Sequence, residues 1–123
     1  RGTNIGRRLV WSHHIKSTTK KKHIVAWASE LGLSGYCKPG YPGILIVEGV
    51  ESDVAEYLAR LRRLTWKALV VKGEERFAVG TEGATRRLPA SAGVEMMGEG
   101  DMATLGQICR DVGLHDLYMT QMH

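Results

Sequence analysis

The stretch GILIVEGVESDVAEYLARLRRLTWKALVVK, residues 43–72, decides the fold. Its opening GILIVEGV is a continuous apolar run, the pattern of a central strand. From Glu51 the period changes. Val54, Leu58, Leu61 and Leu64 form one helical stripe, and the acids Glu51, Asp53 and Glu56 lie near the positive end of that helix. Residues 66–72 (WKALVVK) then return to a strand pattern. Strand, helix and strand in immediate succession make half of a larger unit, whose other half should lie upstream.

It does. Residues 8–15 (RLVWSHHI) read as a strand, with Leu9, Trp11, His13 and Ile15 on one face and Val10, Ser12 and His14 on the other. Which of these faces is buried stays open at this point. Ser17, Thr18 and Thr19 offer a helix N-cap, and Ile24, Trp27, Ala28 and Leu31 recur at helical spacing until Gly32 ends the segment. A short strand at 34–38 and the turn KPGYPG at 38–43 complete a hairpin with the central strand. The order strand, helix, strand, strand, helix, strand predicts an α+β sandwich, ferredoxin-like (βαββαβ), with both helices on one face of an antiparallel sheet.

The whole of residues 1–123 is expected to be a single domain, with its core at about 7–72. Residues 73–93 are rich in Gly, Glu, Thr and Arg and predict a mobile loop. A C-terminal strand/helix appendage follows at 94–123: a short strand near 94–97, a helix near 101–112 with Leu105, Ile108 and Val112 facing inward, and the tail DLYMTQMH, which either docks or frays.

Composition narrows the class of function. Two cysteines outside any CxxC pair argue against a disulfide framework or a zinc site, and point to a reducing compartment, cytoplasmic or nuclear. No apolar run of about 18 residues is present, so no membrane contact is expected. The first residue is Arg1, which reads as a fragment or processed chain. The net charge is only +4, yet Arg1, Arg7, Arg8, Lys16, Lys20, Lys21 and Lys22 fall within the first 23 residues without a single acid. That asymmetry points to an anionic partner for one face.

Lys20, Lys21 and Lys22 are the sharpest local signal. Cations at a helix N-terminus oppose the macrodipole, and a bound anion would reverse the penalty. An RNA-binding edge is therefore expected to comprise Arg7, Arg8, His13, His14, Lys16, Lys20, Lys21, Lys22 and Tyr41, with the imidazoles contacting phosphate or base and Tyr41 stacking on an unpaired base. A solvated, solubilising turn would explain the lysines as well. The central strand has no stacking aromatic, so RNA is not expected to lie across the sheet. A His14–Glu48 acid/base pair, with the end of the first strand meeting the end of the third, is the only catalytic arrangement to consider, and no nucleophile, metal set or cofactor motif accompanies it. Arg60, Arg62, Arg63 and Lys67 form a second basic group that complements the dipole of its own helix.

VWSHHI at 10–15, KKKHIVAWASELGLSGYCKPGYPGILIVEG at 20–49 and LRRLTWKAL at 61–69 together resemble the C-terminal domain of the type-two RWD-domain-containing proteins. That domain is related to the C-terminal domain of a spliceosomal pre-mRNA-processing factor of the small nuclear ribonucleoproteins. The resemblance covers residues 7–72 well and the last fifty loosely. It implies a ferredoxin-like fold, an RWD domain on the N-terminal side, and RNA binding as known for the spliceosomal relative. The combined expectation is a non-catalytic module that binds RNA or a ribonucleoprotein through its basic strand/helix edge. The alternative is a protein-interaction module accompanying an RWD domain.

Overall fold

A computed structural model describes residues 4–78, 80–81, 85–89 and 93–123. The apolar run of the opening stretch forms β3 (Gly43–Val50), flanked by β1 (Ile5–Ser12) and β2 (Ser34–Lys38), both antiparallel to it. β4 (Leu69–Phe77) pairs with β1 on one edge, and β5 (Val94–Met96) pairs in parallel with β2 on the other. The order is β4-β1-β3-β2-β5. The four expected strands take their ferredoxin-like places, and the short strand assigned to the appendage joins the same sheet as a fifth.

Helices α1 (Thr18–Glu30) and α2 (Glu51–Arg62) cover one face. There Val10, Leu45 and Val47 meet Ile24, Ala28, Val54, Tyr57, Leu58 and Leu61. The Tyr57 hydroxyl donates to the Ile24 carbonyl at 2.7 Å, which joins the two helices without leaving a buried polar atom unpaired. α1 stops where the sequence says it must. Gly32 takes φ +69°, and Leu33 N–H reaches back to the Ala28 carbonyl at 2.9 Å while Gly32 N–H bonds that of Ser29 at 3.2 Å.

The other face is where the structure departs from expectation. A strand as apolar as β3 must be covered twice, and Leu9, Ile44 and Ile46 pack beneath α3 (Met102–Asp111) and α4 (His115–Met119) through Leu105, Cys109, Leu114 and Leu117. The molecule thus has three layers, and the C-terminal segment is the third of them. The tail docks: α4 and the closing 3-10 turn (Thr120–Met122) pack on β4, and a Cβ at Gly73 would lie 2.8 Å from the Leu117 side chain.

The expected loop at 73–93 is also shorter than read. β4 continues to Phe77, and Leu88 is buried against the C-terminal helices. Residues 79, 82–84 and 90–92 of that segment, like Arg1, lie outside the described residues. No described helix is long and apolar enough to cross a membrane.

Candidate nucleic-acid interface

Arg7 and Arg8 do not belong to an exposed basic edge. β1 is paired on both sides, so its alternating side chains enter the two covered faces. Arg7, 1% exposed, donates from Nε to Glu48 Oε2 at 2.7 Å, from Nη1 to Glu75 at 3.1 Å and from Nη2 to the Thr85 carbonyl at 2.7 Å. Glu48, fully buried, also accepts the backbone N–H groups of Arg87 and Leu88 at 2.9 and 3.0 Å. On the opposite face Arg8 binds Glu51 through both terminal nitrogens and lies 3.8 Å from Glu74. A guanidinium already desolvated and paired would leave its carboxylate bare if it turned to a phosphate, so both arginines are structural. Burial raises the Glu51 pKa, but hydrogen bonds and charge from Arg8 and Arg76 outweigh it and hold the carboxyl below its ordinary range.

The His14–Glu48 pair does not form either. β1 and β3 are antiparallel, Arg7 faces Glu48, and Ser12 faces Gly43 at the other end. His14 therefore adjoins the start of β3, and Glu48 lies near its end.

What gathers at the far end of β1 is a smaller group. Ser12 Oγ donates to the Ala68 carbonyl at 2.7 Å and turns the chain off the sheet. Ile15 and Gly40 then exchange backbone hydrogen bonds of 3.0 and 2.8 Å, clamping this segment to the β2–β3 turn. Beneath that turn, buried Lys38 donates to the Pro42 carbonyl at 2.9 Å, a support the sequence reading missed because a lysine in SGYCK looks like a solvent-facing charge. Tyr41 is left at the tip, 61% exposed. Its ring centroid lies 5.2 Å from that of His14 and 5.8 Å from that of His13, and the Lys16 ammonium lies 5.2 Å from it. The two imidazoles approach each other Nδ1 to Nδ1 at 3.0 Å. Lys16 is also 3.6 Å from Glu99. Four of the nine expected residues, His13, His14, Lys16 and Tyr41, thus converge on one exposed platform.

The three adjacent lysines diverge. Ser17 caps α1, its Oγ accepting from Lys20 N–H at 3.2 Å, and the helix then turns successive side chains in different directions. Lys20 projects over the Trp66 ring at 4.8 Å. Lys21 and Lys22 flank a groove between α1 and β5. Of the second basic group, Arg60 pairs with Glu56 and Glu30, both at 2.9 Å. Among the described residues no group of three or more His, Cys, Asp or Glu is placed to hold a metal ion.

The fold has well-populated neighbours. BlrB, a BLUF protein in its dark state, aligns with TM-score 0.65 at 14% identity, covering 97% of this chain and 94% of that one. A bacterial light-regulated adenylyl cyclase aligns with TM-score 0.63 at 14% identity, over 97% of this chain and 34% of that one. At such identities the likeness is one of fold alone. In sequence, a curated relative is phomoidride biosynthesis cluster protein F of a fungal species (strain ATCC 74256), 30% identical over 59 residues. That match takes in 46% of this chain and spans only 20% of the relative's length. The family model for the small nuclear ribonucleoprotein Prp3, C-terminal domain, matches residues 8–104, from β1 into α3. With most of the sheet and its helical cover inside that match, the chain belongs to the Prp3 C-terminal domain family.

Proposed function

We propose that this chain is a non-catalytic ribonucleoprotein module that holds unpaired RNA on the platform of His13, His14, Lys16 and Tyr41. One observation carries the reading: Tyr41 stays largely exposed at a turn clamped from below, with two imidazoles and an ammonium against its ring. Such a ring is held in place at little entropic cost and, 61% exposed, remains accessible to a base. Base stacking of this kind contributes about 1–3 kcal/mol. Lys16, with Lys20 on the adjoining turn, supplies positive charge for the neighbouring phosphates. Because the sheet is covered on both faces, an edge site is the arrangement consistent with RNA contact. Family membership supports a place in a nuclear ribonucleoprotein. The resemblance to the RWD-type proteins supports a longer polypeptide in which an RWD docking domain precedes this module.

Fluorescence anisotropy with a labelled single-stranded oligoribonucleotide tests the proposal. Tyr41→Ala is expected to weaken binding about 5- to 150-fold, the loss of one stacked base. Neutralising about two phosphates, one for each of Lys16 and Lys20, should give a slope of log K against log salt of about −1.4. A fully paired duplex should bind much more weakly. Equal affinity of the wild type and Tyr41→Ala, or equal affinity for duplex and single strand, removes the proposal.

A further inference from the structure

The groove between α1 and β5 is separate from the tyrosine platform and has a different chemistry. Thr18, Lys21, Lys22, Val25 and Ala26 recur at positions one and two turns apart, so they form a single face of α1, and Met96 of β5 closes the far side. The space is about 490 Å³. It is a shallow groove open to solvent rather than an enclosed cavity, suited to a segment laid along it. Val25, 37% exposed, is an apolar side chain left on the surface of a helix whose other face is fully packed.

Charge here is unbalanced in the same place. Neither Lys21 nor Lys22 has an ion pair among the described residues, and the first turn of α1 contains no acid, whereas that of α2 has Glu51 and Asp53. Glu95, next to Met96 on β5, points by strand alternation to the opposite face, beside Tyr36. The groove is therefore an aliphatic floor with two ammonium groups at its rim and, among the described residues, no carboxylate to answer them.

We infer that this groove docks a partner protein through a short segment that presents an aliphatic side chain flanked by carboxylates. The aliphatic group fills the space over Val25, Ala26 and Met96, and the carboxylates pair with Lys21 and Lys22 while complementing the helix dipole. RNA is the poorer occupant, because the lining offers no aromatic ring or guanidinium plane on which a base would stack. This inference does not depend on RNA binding at Tyr41.

The test is selection of a phage-displayed random peptide library on the intact chain, in parallel with the Lys21→Glu/Lys22→Glu variant. Acids at those positions favour the N-terminus of α1, so this variant keeps its fold and lost binding reads the groove itself. Peptides with aliphatic residues between Asp or Glu should be enriched on the wild type, lose at least tenfold in affinity on the variant, and shift the amide signals of 18–26 and the Met96 methyl signal. Val25→Asp should lose binding as well, and Tyr41→Ala should not. Enrichment of no common pattern, enrichment equal on the variant, or displacement of the peptide by single-stranded RNA would each overturn the inference.

Discussion

Replacing Glu48 by alanine should be among the most damaging substitutions in this chain, although the residue lies in an otherwise apolar strand. Its carboxylate answers three donors: Arg7 Nε and the backbone N–H groups of Arg87 and Leu88. Removing one partner of a buried ion pair costs about 3–5 kcal/mol, because the remaining charge has no water to turn to. Arg7 would retain Glu75 and the Thr85 carbonyl, which places its share toward the lower end. The two stranded N–H groups add to the loss, at about 1–3 kcal/mol for each left without a partner. A total of about 5 kcal/mol or more is a large part of the about 5–15 kcal/mol by which domains are stable. With a urea m-value of about 1–3 kcal/mol/M, the unfolding midpoint should fall by more than about 1 M. Glu48→Gln keeps the shape but turns an amide NH₂ toward donors, so it should be intermediate. The double variant Arg7→Ala/Glu48→Ala should be less damaged than the two single losses added, by about 1–3 kcal/mol of coupling. Hydrogen exchange supplies a local readout, with protection at Arg87 and Leu88 disappearing in Glu48→Ala. A loss under about 1 kcal/mol, or additive single variants, would refute the assignment of this network as the clamp on residues 85–88.

Other outcomes follow from the same geometry. The Glu51 carboxyl titrates below its ordinary range in the folded state, so its stabilising contribution is complete above the unfolded value of about 4.3 and is lost as pH falls through the lower folded value. Urea midpoints between pH 6 and pH 3 should therefore fall more steeply for the wild type than for Glu51→Gln, and parallel profiles would contradict the pairing. Burial pushes the Cys37 thiol up to about 12, against the pull of Lys21 and Lys38, and the Cys109 thiol up to about 11. Neither should react with an aromatic disulfide reagent at pH 8 until urea is added; rapid reaction of the native chain would show that the layers open. Ser17→Ala removes the α1 cap and should cost about 1 kcal/mol in thermal or urea unfolding, and no loss would mean the cap is dispensable.

The order of elements was legible because residues 43–72 change period twice, and each change marks a boundary within a few residues of β3, α2 and β4. The third layer was legible in principle and missed. A strand reading GILIVEGV asks for cover on both faces, and Leu105, Cys109, Leu114 and Leu117 were apolar positions left downstream to provide it. The fate of Arg7 and Arg8 was not legible from local pattern. Their carboxylates come from 41 and 43 positions downstream, and a sequence-local charge count cannot show which cations the fold will spend inside.

That division also explains why an acid-free N-terminal segment need not be one binding surface. In β1 a cation is tolerated because strands β3 and β4 bring Glu48, Glu74 and Glu75 alongside by register. The first turn of α1 is held in no strand register, and its side chains fan out at about 100° per residue. Consecutive lysines on a helix are therefore separated by geometry even though they are adjacent in sequence. Lys20 turns to Trp66, while Lys21 and Lys22 turn to Met96. Charge patterning in such a segment identifies which residues lack acidic neighbours in sequence. Only pairing register and helical phase decide which of them still lack one in space: Lys16 meets Glu99, whereas Lys21 and Lys22 at the α1–β5 groove have no ion pair among the described residues.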